Sequence, residues 1–155
     1  MTSVAFAREP LTSALLDEAL PLLRAHWAEI AHYPDIPLEV DAQTYERSEA
    51  AGIVRCFTAR TAGALVGYAL FFVRHAPHYA SSLQAVQDVV YLAPAVRGGT
   101  GFRFIAWCDA QLAAEGVQAV YHHVKRAHDF GPLLERQGYA LVDLIYAKRL
   151  DGGAV

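Results

Sequence analysis

Two neighbouring stretches of this 155-residue chain carry residues able to do chemistry. The first is Arg97-Gly98-Gly99-Thr100-Gly101, set between a β-forming run and a helical one. Glycines have no side chains, so consecutive backbone N–H groups can turn inward and approach an anion closely. The helix that follows adds the positive end of its dipole, and Arg97 could add a charge-assisted hydrogen bond. Such a site suits a pyrophosphate; a plain strand-to-helix turn with spare glycines is the other reading. No Lys-Ser or Lys-Thr pair closes the loop, and no spaced glycine triplet follows an early strand, so neither nucleotide-binding motif fits. The second stretch is the run before it, which holds Asp88. On strict alternation Asp88, Val90 and Leu92 share one face, and Gln87, Val89 and Tyr91 the other. A carboxylate flanked by Val89 and Val90 is partly desolvated, which suits a proton acceptor. Capping a turn or pairing with Arg74 is its competing role. Tyr91 offers either a hydroxyl donor or a core aromatic.

The histidines are scattered. His122 and His123 alternate on a predicted strand, so at most one faces a cleft, while His75, His78 and His128 fall in loops. Their spacing has no recognised ligand pattern, and no metal is expected. A histidine near neutral pH could still shuttle a proton. Cys56 and Cys108 have neither metal-ligand nor disulfide spacing and read as small core residues of a reduced protein. In the first half, His26, Glu29, Tyr33, Asp35, Glu39 and Asp41 form a mainly acidic set. Carboxylates beside an aromatic ring suit a protonated amine, by charge and cation–π contact. A solvated acidic loop has the same composition.

The elements that must position these residues follow from periodicity. Val4 to Arg8 predicts a short strand ended by Pro10. Leu16, Leu20, Leu23, Trp27 and Ile30 fall on one helical face, with Pro21 predicting a late start near Asp17 or a bend. Tyr33 to Pro37 is a loop, and Asp41 caps a second helix that ends at Gly52. Ile53–Arg60 and Leu65–Arg74 predict strands joined by a hairpin turn, followed by a third strand from Leu83 to Leu92. After the glycine loop comes a helix with Phe102, Ile105, Ala106, Leu112 and Ala113 on its buried side, stopped by Gly116. Ala119–Val124 predicts a strand and Asp129–Gln137 a short helix. Tyr139–Leu150 alternates as a strand does. The order is a mixed sheet covered by helices, an α/β (α+β) class.

The length suits one domain, and 54% hydrophobic with 19% charged residues argues against disorder. Net charge is -3 and the sequence pI is about 6.1, which removes the basic footprint of a nucleic-acid binder. No signal peptide and no bilayer-spanning run is read, so a cytoplasmic protein without nucleic-acid or membrane partners is expected.

Val90-Tyr91-Leu92-Ala93-Pro94-Ala95-Val96-Arg97-Gly98-Gly99 resembles the approach to the acetyl-CoA loop of the GNAT superfamily of N-acetyltransferases. Pro132 to Tyr139 is similar to that family's helix ending in Gly-Phe or Gly-Tyr, and Ile145 to Leu150 to its terminal strand. The resemblance covers Val4 to Leu150. It implies a single domain over 1–150 with a loose tail, 151–155, and a mostly antiparallel central sheet with helices on both faces. It implies transfer of acetyl from acetyl-CoA to a primary amine of a small molecule or protein, by a monomer or homodimer. Val90, Leu92, Arg97, Gly98, Gly99, Thr100 and Gly101 would hold the cofactor. Asp88 would be the general base with Tyr91 beside it, and His26, Glu29, Tyr33 and Asp35 would flank the acceptor. Two departures stand out. The glycine loop is one residue short, and Leu134 occupies the place where many members carry a proton-donating tyrosine. The second departure leaves open a CoA-binding regulatory module that does not turn over.

Overall fold

The computed structural model describes residues 3–153. Five strands form one sheet in the order β1-β2-β3-β4-β5. They are β1 (Val4–Arg8), β2 (Val54–Thr61), β3 (Ala64–Ala76), β4 (Tyr79–Leu92) and β5 (Ala119–Tyr121). The first three pairings are antiparallel and the last, β4 with β5, is parallel. Helices α1 (Ser13–Ile30) and α2 (Ala42–Ala50) cover one face, with Leu15, Leu16 and Ala19 packed on Cys56, Tyr68 and Tyr91. Helix α3 (Gly99–Ala114) covers the other, where Phe104, Cys108 and Leu112 meet Phe57, Phe71 and Ala85. A short α4 (Gly131–Glu135) packs beside α3. The expected mixed sheet with helices on both faces is therefore present.

Several boundaries differ from the sequence reading for physical reasons. Helix α1 starts at Ser13, because the Thr12 hydroxyl accepts from the Leu15 amide and caps it. Pro21 lies inside α1 on an exposed position, so the carbonyl it leaves without a donor, that of exposed Asp17, meets water. Between β2 and β3, Ala62 and Gly63 both have positive φ, 48° and 85°, the backbone of a tight two-residue hairpin. Strands β3 and β4 are longer than predicted, and only Pro77 and His78 remain between them. The buried side of α3 is Thr100, Phe104, Ile105, Cys108 and Leu112, whereas Phe102, Ala106 and Ala113 are exposed. The helix is thus rotated from the predicted face. Strand β5 stops at Tyr121 and α4 at Glu135, both short of prediction.

The largest correction concerns Tyr139–Leu150. The stretch joins no sheet, and Leu141, Val142, Leu144, Ile145 and Tyr146 are all strongly exposed, Tyr146 at 90%. Alternation predicts a strand only where an edge is available to pair with it. Within 151–153 of the expected tail, Asp151 pairs with Arg149 and accepts from the Gly153 amide; residues 154–155 lie outside the described residues.

Candidate active site

Strands β4 and β5 pair only between Gln84–Val86 and Ala119–Tyr121. Beyond that point β4 continues to Leu92 while the chain after Tyr121 leaves strand geometry. The edge of β4 from Gln87 to Leu92 therefore presents N–H and C=O groups with no neighbouring strand. At the point of separation β4 bulges. Leu70 faces Val89 and Phe71 faces Gln87, so Asp88 is opposed by no residue of β3. One extra residue reverses the alternation that follows it. Asp88, Val89 and Tyr91 consequently lie on the α1/α2 side, and Gln87, Val90 and Leu92 on the α3 side. This corrects the expectation that Asp88, Val90 and Leu92 share a face.

Asp88 is exposed, which corrects the expectation that its valine neighbours desolvate it, and it accepts a 2.5 Å hydrogen bond from the Tyr45 hydroxyl of α2. Burial and the facing carboxylate hold the Tyr45 pKa well above its ordinary value, so it stays a donor. Tyr45 lies 43 residues from its partner, and no local signal in the sequence marks it.

The glycine loop forms the N-terminus of α3. Gly98 adopts φ 86°, a conformation that favours glycine, and no side chain caps the helix. Among the described residues, the N–H groups of Gly98, Gly99 and Thr100 reach no protein acceptor. A Cβ on Gly99 would meet open space. Gly101 is different: a Cβ there would come within 3.3 Å of Leu133, so this glycine serves the approach of α4 to α3. Gly98 and Gly99 line an open pocket with Phe102, Arg103 and Arg136. Arg103 stands one turn beyond Gly99 on α3, a spacing that could have revealed it. The approach of Arg136 depends on the packing of α4.

Arg97 does not line that pocket. Its guanidinium donates to Glu29 at 2.6 and 2.8 Å and to the Leu92 carbonyl at 2.8 Å, and lies 5.3 Å from the centre of the Tyr91 ring. His26 stacks on Tyr91 at 4.9 Å, and its Nδ1 sits 2.9 Å from the Tyr68 hydroxyl. Burial pushes the His26 pKa down to about 4, so it is neutral at pH 7. His26, Glu29, Tyr91 and Arg97 thus form one cluster that ties α1 to the end of β4. Tyr33 and Asp35 stand apart from it. Asp35 accepts from Arg149 at 3.0 and 3.1 Å, and the same guanidinium covers the Tyr33 ring at 5.1 Å. Asp41 caps α2 through Thr44. The acidic set is therefore largely engaged, and Glu39 alone of its carboxylates has no hydrogen bond or ion pair among the described residues.

Glu39 stands on the rim of a half-open cavity of about 360 Å³ between α1, α2 and the sheet. Other candidate groups are committed elsewhere. His122 faces the α3 layer, with Nδ1 2.7 Å from Gln87 Oε1 and Phe71, Phe130 and Tyr139 around its ring. The Tyr139 hydroxyl donates to Asp109 at 2.6 Å. Leu134 is buried. Among the described residues no three His, Cys, Asp or Glu side chains converge as metal ligands.

No family model matches the chain, and its sequence finds no match among curated proteins. Solved structures do match. A ribosomal-protein-alanine N-acetyltransferase from Brucella melitensis biovar Abortus superposes with TM-score 0.70 at 21% identity, over 96% of this chain and 99% of that one. A predicted acetyltransferase from Clostridium acetobutylicum, solved with acetyl-CoA, gives 0.71 at 11% identity, over 97% and 99%. The chain has the GNAT acetyltransferase fold. An aminoglycoside acetyltransferase from an uncultured soil metagenomic sample, in complex with sisomicin, also shares this GNAT fold, with TM-score 0.69 at 13% identity over 94% and 97%. At these identities the likeness fixes the arrangement of the backbone.

Proposed function

We propose that this chain is an N-acetyltransferase that moves the acetyl group of acetyl-CoA onto a primary amine. One coincidence carries the reading. At the open end of the sheet the unpaired edge of β4, the bulge at Asp88 and the uncapped N-terminus of α3 lie along the same strand–loop–helix unit. The free N–H groups of Gly98, Gly99 and Thr100, with Arg103 and Arg136 beside them, suit a pyrophosphate. The edge from Gln87 to Leu92 suits amide groups that hydrogen-bond as an added strand would. Bound acetyl-CoA supplies an acetyl group activated as a thioester.

The protein's own part is to deprotonate and position. Asp88 accepts the proton of the attacking amine through the carboxylate oxygen that Tyr45 leaves free. A C–N bond forms, the C–S bond breaks, and the thiolate departs as an anion. Leu134 has no hydroxyl to protonate it, and the Tyr139 hydroxyl is held by Asp109. Tyr91, in contact with His26 and Arg97, acts as a positioning residue. A relative acting on a ribosomal-protein alanine and another bound to sisomicin both support an amine acceptor.

Leu134 also favours a second reading, a CoA-binding module that regulates a partner without turnover. Incubation with acetyl-CoA and a panel of amines separates the two. The expected result is thermal stabilisation by acetyl-CoA together with steady release of free thiol. Stabilisation without thiol release supports the regulatory module, and absence of both overturns the cofactor assignment itself.

A further inference from the structure

We infer that the cavity between α1, α2 and the sheet is the acceptor pocket, and that the acceptor is an amphiphilic primary amine with an apolar aryl or alkyl body. The inference rests on the transferase reading above and adds the class of substrate. The cavity of about 360 Å³ is walled by Leu15, Leu23, Leu70, Phe72, Val89 and the ring of Tyr45. Natural cores contain few voids larger than a water molecule, and a dry cavity of ~150 Å³ already holds benzene. This space is more than twice that, enough for a bicyclic ring or a medium alkyl chain.

The polar groups among its walls are not available to a ligand. The Tyr68 hydroxyl contacts His26, and Thr58 donates to Glu9. Burial pushes the Cys56 thiol up to about 12, so it stays protonated. A hydroxyl-rich amine entering here would lose its bonds to water and find few replacements. The mouth has the opposite character. Glu39 and Asp41 stand on the rim, and Tyr45 and Val89 carry the wall to Asp88. A ligand with its ammonium at the mouth and its apolar body inside matches both regions by charge and by polarity.

The test measures binding of n-alkylamines from ethyl to decyl, 2-phenylethylamine and glucosamine by calorimetry without acetyl-CoA, then thiol release with it. Affinity should rise about fourfold per methylene until the pocket is full and then level off. Octanol, lacking the ammonium, should bind at least about tenfold more weakly than octylamine. Ala19→Leu and, separately, Leu70→Phe fill the space and should weaken octylamine at least about tenfold while acetyl-CoA still stabilises the protein. Affinity independent of chain length, or preference for glucosamine, overturns the inference. So does a filling variant that raises Tm without altering amine affinity, since the space is then a packing void only. Alkylamine binding with no thiol release removes the transferase reading and leaves the pocket; turnover of glucosamine alone does the reverse.

Discussion

Tyr45 and Asp88 meet at 2.5 Å across two elements, and the contact leaves one carboxylate oxygen for chemistry. Asp88→Asn keeps the shape and the Tyr45 contact but takes no proton. It should lower kcat about 10²-fold or more, in line with loss of a general base. Acetyl-CoA should stabilise the variant as it does the parent in a thermal shift. A wild-type rate across pH 6 to 9 would remove Asp88 from the mechanism. The residue itself was legible, because a lone carboxylate in an apolar run ahead of a glycine loop is conspicuous. Its direction was not. The bulge comes from an unequal count of residues between β3 and β4, which only their pairing reveals. The orientation of the Arg97 side chain is hidden in the sequence for a related reason. A guanidinium beside glycines suggests an anion site, yet Glu29, 68 residues earlier, claims it.

The unit of strand, loop and helix around Gly98 offers a test at the level of elements. Gly99 faces open space, so Gly99→Glu should fold, yet it puts a negative charge among the free amides of α3. The acetyl-CoA concentration needed for a given thermal shift should rise at least about tenfold. Unchanged cofactor affinity would show that the loop is only a turn. Glycine and proline punctuation, helical periodicity and the Asp41 cap made α1, α2 and the hairpin readable within a few residues. The segment from Tyr139 was misread because alternation describes a chain's preference and says nothing of a vacant edge. The rotation of α3 also escaped: of two identical rings in one turn, Phe104 is fully buried and Phe102 stands 40% exposed.

Each face of the sheet carries a neutral histidine: His26 of α1 is buried against Tyr68 and Tyr91, and His122 on the other face is half-buried among Phe71, Phe130 and Tyr139. Burial pushes each pKa from 6.5 down to about 4. Below pH 6.5 the unfolded chain takes up protons that the native state refuses, so stability falls as pH drops from about 6.5 towards 4. Each histidine contributes at most about 1.4 kcal/mol per pH unit in that window. Asp109, whose carboxyl is held above its ordinary range by burial, works in the opposite sense and trims the slope. Glu9, held low chiefly by its hydrogen bond from Arg60, adds its own loss only below the usual carboxylate range. Urea unfolding at pH 7, 6 and 5 should show the decline, and His122→Phe should reduce its slope by about half. A flat profile would mean that neither imidazole is buried neutral.

The clasp of Arg149 on Asp35 and Tyr33 joins positions 114 residues apart, which gives it a meaning in time. A chain elongating at about 5–20 residues per second makes the α1–α2 connection roughly 6–23 s before the arginine that holds it. By then β2, β3 and β4 can already have formed the cavity floor beneath α1. Val89, the last residue of the chamber wall, precedes Arg149 by 60 residues, so every apolar wall residue is synthesised about 3–12 s before the latch, an interval in which a passing chaperone has something to grip.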